Sequence, residues 1–175
     1  MSIIKKYTPT SGTFCDIFAG SGSVAKKAIP LFNNVIINDF LFSNNIIYHG
    51  FFGNGKWSVE KVSEIIASYN AIEIEHLPDN YFSINFGGKF FEYKLAKLIG
   101  YIREDLEKMR SNLTYKEYAV LIASLIYSID KHANTVGHFD AYIKKPITER
   151  PFRLKMIDAQ SYPNVKIYRE DSNSL

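Results

Sequence analysis

Two textures of apolar and polar positions divide the chain. Residues 13–18 are a short apolar run broken by one acid, and residues 34–39 are a second, built on Val35-Ile36-Ile37 and ending in Asn38-Asp39. Short apolar runs bounded by turn residues predict strands. Between them residues 22–32 suit a helix, with Asn33-Asn34 as the connecting turn. Residues 42–48 predict a short helix ended by Gly50, then a loop through Gly53-Asn54-Gly55. From residue 58 the texture is helical. Ser58 is placed to cap a helix over 59–69, with Val62, Ile65, Ile66 and Tyr69 on one face. Residues 70–88 read as irregular, and residues 89–110 carry a helical stripe from Phe90 to Met109. Thr114-Tyr115-Lys116-Glu117 has the form of a capping box. The helix it starts, to about His132, is apolar nearly all round and is therefore predicted to be buried. Two loops follow, the second bracketed by Pro146 and Pro151. An alternating stretch at 152–157 then predicts a strand, and residues 164–168 predict a clearer one. Residues 2–7 read as the end of a helix, closed by Pro9 and Gly12.

This order predicts a doubly wound α/β core from residues 1–55 and 133–175, with a helical insertion over 56–132. The sheet is expected to be incomplete on its C-terminal side. That leaves an open edge at 165–168, expected to pair with another chain or to be poorly ordered.

The chemistry concentrates at the first strand–turn–helix. The run Thr13-Phe14-Cys15-Asp16-Ile17-Phe18 turns through Gly20-Ser21-Gly22 into Val24-Ala25-Lys26-Lys27-Ala28. Glycines permit a sharp turn and a close ligand approach, and the helix that follows offers unpaired N–H groups. Asp39 stands 17 residues after Gly22 at the end of the second strand, where an acid grips nucleotide ribose hydroxyls. The loop lacks the Gly-Lys-Ser/Thr of a P-loop. Ala25 occupies the place of the third glycine of the dinucleotide fingerprint, so spacing leaves a nicotinamide cofactor open.

Composition adds bounds. The chain is 46% hydrophobic and 22% charged, as soluble globular proteins are. No apolar run approaches the length of a membrane span, and Met1 to Tyr7 is too polar for a signal peptide. The lone Cys15 is expected to be a buried, reduced thiol in a cytoplasmic protein. The four histidines, at 49, 76, 132 and 138, show no metal-ligand spacing, and no nucleophile-elbow motif is present. Net charge is +3, but from Lys131 to Lys155 six bases face two acids. Interleaved with Phe139, Tyr142 and Phe152, that stretch suits either a phosphate backbone or a solvated loop.

Asp16-Ile17-Phe18-Ala19-Gly20-Ser21-Gly22 closely resembles the Asp-Pro-Phe-Ala-Gly-Ser-Gly signature of amino-methylating DNA methyltransferases, with Ile17 in place of proline. Ile37-Asn38-Asp39-Phe40 resembles the Asn-Asp-aromatic stretch of the Dam-like, adenine-specific members. The loop from Lys131 to Lys145 and the segment Tyr168-Arg169-Glu170-Asp171 resemble later segments, in family order. The resemblance implies a Rossmann-like core that binds S-adenosylmethionine. It places the methionine end at Asp16, Phe18, Ala19, Gly20, Ser21 and Gly22, the ribose at Asp39 and the adenine amine at Asp171. It implies double-stranded DNA as partner, met by the insertion and the basic loop, with Lys131, Asn134, His138, Tyr142, Lys144 and Lys145 as the contacts.

The family's catalytic Asp-Pro-Pro-Tyr motif has no counterpart, since none of the six prolines adjoins another. The chain therefore resembles an internal fragment. It is expected to belong to an adenine-specific DNA methyltransferase, in a restriction–modification setting, and to be inactive alone. A second chain supplying the catalytic half is one expected partner. A non-catalytic DNA- or protein-binding remnant and, more weakly, an NAD-binding oxidoreductase are the alternatives.

Overall fold

The computed structural model describes residues 11–137, 140–145 and 147–173. The helix expected at 2–7 lies outside them. The described residues form two compact units. One holds the chain up to Trp57, Thr114–Val120 and the chain from Asp158; the other holds Ser58–Leu113 and Leu121–Ile157. Residues 133–157, assigned to the α/β core from sequence, thus group with the helices.

The first unit is α/β. Strands β1 (Thr13–Asp16), β2 (Asn34–Asn38) and β3 (Val165–Tyr168) form a parallel sheet in the order β1-β2-β3. This is the 3-2-1 half of a doubly wound sheet. Among the described residues both β1 and β3 are therefore outer strands, not β3 alone. In the register, Phe14, Val35 and Val165 lie side by side, and one pleat on stand Asp16, Ile37 and Ile167. Helices α1 (Ser23–Ala28) and α2 (Phe42–Phe52) pack on this face through Ala25, Ala28, Tyr48 and Phe52. Cys15 falls on the opposite face of an outer strand and is exposed. Its expected burial fails because an outer strand buries only its covered face.

Helix α2 runs past Gly50, where the sequence expects it to stop. The Lys116 ammonium explains the extension. It donates to the carbonyls of His49 (2.9 Å), Gly50 (2.8 Å) and Gln160 (2.9 Å), two of which are last-turn carbonyls of α2. A cation at a helix C-terminus satisfies orphan acceptors and complements the helix dipole. Burial lowers the Lys116 pKa to about 8, so the group is largely charged at neutral pH.

The second unit is helical: α3 (Val59–Asn70), α4 (Tyr81–Phe86) and α5 (Tyr93–Lys108), with most of α6 (Tyr115–Asp130). The expected caps form. Ser58 Oγ accepts from Lys61 N, and Thr114 and Glu117 bond reciprocally at the start of α6. The middle of α6 is buried, as its apolar circumference predicts. Helix α4 lies within the stretch read as irregular, started by an Asn80–Ser83 capping box. Helix α5 begins at Tyr93 and not at residue 89, because Glu92 caps it through the N–H groups of Lys94 and Leu95.

Residues 152–157 are not a strand. Burial does not follow their alternation, since Leu154 and Ile157 are buried and Met156 is exposed, and helices supply the backbone partners. The N–H groups of Leu154, Lys155 and Ile157 donate to Asn70 Oδ1, Ser128 Oγ and Ser124 Oγ at 2.8, 3.0 and 3.1 Å.

Candidate functional site

The carboxyl ends of the three strands converge on one place in the α/β unit. After β1 the chain turns through Gly20 and Gly22, at φ +51° and +70°. This left-handed region is costly for other residues. A Cβ on Gly20 would meet nothing nearer than Phe18 O at 4.0 Å, so the turn leaves open space. At Gly22 a Cβ would lie 3.0 Å from Tyr48 Cε1. Ala19 is buried beneath the turn, and the Ser21 and Ser23 hydroxyls bond each other at 2.8 Å.

Asp39 closes the loop from the end of β2. Its Oδ2 accepts from Gly20 N at 2.9 Å and its Oδ1 from Leu41 N at 2.9 Å. Burial pushes this carboxyl up. Hydrogen bonds from Leu41, the Asn44 side chain, Gly20 and Tyr48 outweigh that, and the net pKa shift is downward. Asp16, at the end of β1, behaves oppositely. Burial raises its pKa, the Ala25 N–H lowers it, and the charge of Asp39 raises it further, for a net upward shift. Asp16 Oδ2 is buried and has no hydrogen-bond partner. One of the helix N–H groups expected to face a ligand, that of Ala25, is thus turned on Asp16 instead.

Asn38, fully buried, ties the third strand to the other two. Its Nδ2 donates to Ile17 O (3.3 Å), Glu170 O (3.0 Å) and Ser172 Oγ (3.0 Å), while its Oδ1 accepts from Glu170 N at 2.9 Å. This hub carries the segment that holds Asp171, whose Oδ1 accepts from the N–H and Nδ2 of Asn173. Around the site Phe18 and Phe40 are about three-quarters exposed, at 74% and 73%. Large apolar side chains left in water beside an open turn fit a planar ligand.

The D12 class N6 adenine-specific DNA methyltransferase family matches residues 1–175. The chain belongs to this family. Three relatives agree in kind. The type II methyltransferase M.NlaIII of Neisseria lactamica is 26% identical across 100% of this chain and 54% of its own length. The modification methylase LlaI of Lactococcus lactis subsp. lactis is 26% identical, over 99% of this chain and 30% of its own length. The type II methyltransferase M.CviAII of Paramecium bursaria Chlorella virus 1 is 28% identical, over 82% and 44%. The chain thus spans about half, or less, of the length of these relatives. No solved structure matches it. The small parallel sheet with its helices is consistent with the Rossmann-like core of a methyltransferase.

The residues expected to meet DNA lie in the helical unit, apart from His138, which is outside the described residues. Lys131, Lys144 and Lys145 are exposed. Tyr142 stands edge-on to Phe90 at 5.4 Å between centroids. Asn134 is a clamp within its own unit: its Nδ2 donates to Lys89 O (2.9 Å) and Ile143 O (2.8 Å). A cleft of about 740 Å³ beside this loop is lined by Lys94, His132, Lys145, Glu149 and Arg150, among others. Among the described residues no group of His, Cys, Asp and Glu gathers that could hold a metal ion. No described helix is long and apolar enough to cross a membrane.

Sequence reasoning gave no role to Tyr48, Asn44 or Asn38. Tyr48 reads as one more core aromatic on a helix, and no periodicity separates it from the others. Asn38 sits inside a recognised motif, but its carbonyl partners are backbone atoms, which no residue pattern identifies.

Proposed function

We propose that these residues form the S-adenosylmethionine-binding part of an adenine-specific DNA methyltransferase acting in restriction and modification. The observation that carries the reading is the meeting of Asp16, the Gly20–Gly22 turn and Asp39 beyond the carboxyl ends of parallel strands. Open α/β sheets hold ligands there. The residues present fit the cofactor. The orphaned Asp16 Oδ2 is an acceptor for an ammonium group. A carboxylate offers about four acceptor sites. On Asp39, Leu41, Asn44 and Gly20 fill three, and the Tyr48 contact is long at 3.4 Å, which leaves room for a ribose hydroxyl. Asp171 is exposed, its Oδ1 accepts from Asn173, and a carboxylate has further acceptor sites for an amine donor. When bound, the cofactor supplies an electrophilic methyl group. The chain's part is to hold its polar ends with fixed carboxylates and to cover its planar part with Phe18 and Phe40.

The family match favours this cofactor over a nicotinamide dinucleotide. Double-stranded DNA is the proposed partner, with Lys131, Tyr142, Lys144 and Lys145 facing it and Asn134 shaping their loop. A cytoplasmic setting goes with that substrate. A second chain that supplies the base-holding motif is a further proposed partner. A non-catalytic DNA- or protein-binding remnant is the second reading.

Calorimetric titration with S-adenosylmethionine tests the reading. The wild-type chain is expected to bind, and Asp16→Ala to bind about ten- to a hundredfold more weakly, as loss of a charge-assisted hydrogen bond predicts. No binding by a folded wild-type chain overturns it.

A further inference from the structure

Tyr48 is fully buried on α2, yet its hydroxyl reaches the candidate site. The hydroxyl donates to the carbonyl of Gly20. Its oxygen also lies 3.4 Å from Asp39 Oδ2. A phenol has one proton; the nearer carbonyl is its main acceptor, and the longer contact still favours the charged Asp39 carboxylate. The ring meanwhile lies directly under Gly22, so closely that a methyl group there would stand 3.0 Å from Cε1. One side chain therefore fixes both glycines of the turn: Gly20 by a hydrogen bond and Gly22 by contact.

The consequence reaches Asp39. The Gly20 carbonyl belongs to the peptide after Gly20 and its N–H to the peptide before it; with the first held by Tyr48 and the second by Asp39 Oδ2 at 2.9 Å, the two Gly20 dihedrals between them are fixed. That N–H is one of the groups that hold the carboxylate in place and in its charged form. Burying a phenol without a partner is costly. Here the turn supplies that partner, the Gly20 carbonyl, which a phenylalanine filling the same space would leave unused.

We infer that Tyr48 is a positioning residue for cofactor binding: through the Gly20 carbonyl it locks the glycine turn and thereby aims the Asp39 carboxylate at the ribose. The inference rests on the cofactor reading above. Tyr48 touches no reacting atom. It acts through Gly20 and Asp39, so its loss is felt in affinity for the cofactor and in the properties of Asp39.

The test uses Tyr48→Phe, which keeps the ring and removes only the hydroxyl. Nuclear magnetic resonance titration of the Asp39 carboxyl, without cofactor, reads the coupling directly. The Asp39 midpoint is expected to move upward in Tyr48→Phe, because a loosened Gly20 N–H stabilises the carboxylate less and the hydroxyl's own longer contact with it is lost. Asp16, the carboxyl whose charge faces Asp39, is the same in both proteins. An unchanged Asp39 midpoint overturns the inference. Calorimetry with S-adenosylmethionine is the second arm. Tyr48→Phe is expected to bind about three- to tenfold more weakly, and to lose nothing further when Asp39→Ala is already present. Equal affinity of Tyr48→Phe and wild type, or additive losses in the double variant, overturns the positioning role while leaving the cofactor reading intact. Absence of binding by the wild type overturns that reading and the positioning role with it.

Discussion

The Gly20 N–H donates to Asp39 Oδ2 at 2.9 Å, across 19 residues of chain. One hydrogen bond thus joins the glycine turn after β1 to the end of β2. Preorganisation of this kind lowers the entropy that binding must overcome. Asp39→Ala removes both the ribose acceptor and the anchor of the turn. Its affinity for S-adenosylmethionine is expected to fall about ten- to a hundredfold, the value of a charge-assisted hydrogen bond. Asp39→Asn keeps one carbonyl oxygen for Gly20 and is expected to fall between. Calorimetric titration of the three proteins checks the ranking; equal affinities count against it.

The same carboxylate makes stability depend on acid. The Asp39 pKa is lowered by folding from its ordinary 3.8, after burial, which opposes the shift, is outweighed by its hydrogen bonds. A depressed carboxyl contributes stability that is full above the unfolded value. It is lost as pH falls through the lower folded value. The stability difference between wild type and Asp39→Asn is therefore expected at neutral pH and to shrink in strong acid. Urea unfolding of both proteins down through the carboxylate range measures it, and a constant difference would refute it.

Asp16 has the opposite sign. Its raised pKa, due first to burial, means that the ionised form is held at a cost in the absence of ligand. Its buried Oδ2 has no partner to offset that cost. Asp16→Asn is therefore expected to stabilise the ligand-free protein, by about 0.5–2 kcal/mol, while weakening cofactor binding. Thermal unfolding with and without S-adenosylmethionine checks both halves. A destabilised Asp16→Asn would show that the carboxylate is held by more than the Ala25 N–H.

Legibility in the sequence followed the range of the interactions. The strands β1, β2 and β3, the caps at Ser58 and Thr114 and the burial of α6 depend on local pattern, and pattern placed them. The glycine turn and Asp39 were legible because their spacing reflects one βαβ unit. What the sequence hid was set by distant partners. Helix α2 outruns Gly50 because Lys116, 66 residues on, holds the Gly50 carbonyl. Residues 152–157 alternate like a strand but bond to side chains of Asn70, Ser124 and Ser128. Asn134, expected as a DNA contact, also holds its loop through the Lys89 and Ile143 carbonyls, which no residue pattern announces.

Lys116 is the strongest of these hidden supports. It is buried, and its ammonium satisfies three backbone carbonyls in the α/β unit. Lys116→Met fills much of the same space but takes the ammonium from all three acceptors; the His49 carbonyl keeps the Gly53 N–H at 3.2 Å, while those of Gly50 and Gln160 lose their donor. Unsatisfied buried carbonyls cost about 1–3 kcal/mol each, partly relieved by water. A loss of about 2–4 kcal/mol is expected, larger than for any surface lysine. Chemical denaturation of Lys116→Met beside Lys61→Met, which loses the Asn112 carbonyl on the surface, gives the comparison. A loss no greater than that of the surface variant would count against it.

Catalysis asks for one more element. An adenine amine is a weak nucleophile, and in the resembled family an acid and a proline carbonyl hold it while an aromatic stacks on the flipped base. No pair of adjacent prolines exists in these 175 residues to provide that hold. Orientation of this kind is worth about 7–11 kcal/mol of barrier, so its absence slows transfer beyond detection. The purified 175 residues are therefore expected to bind S-adenosylmethionine and to leave adenine-containing duplex DNA unmethylated. Tritium transfer from labelled cofactor to DNA, run beside the binding titration, separates the two. Label in the DNA would mean that another group of this chain positions the amine. Cofactor binding without transfer is the outcome expected when the base-holding motif is missing.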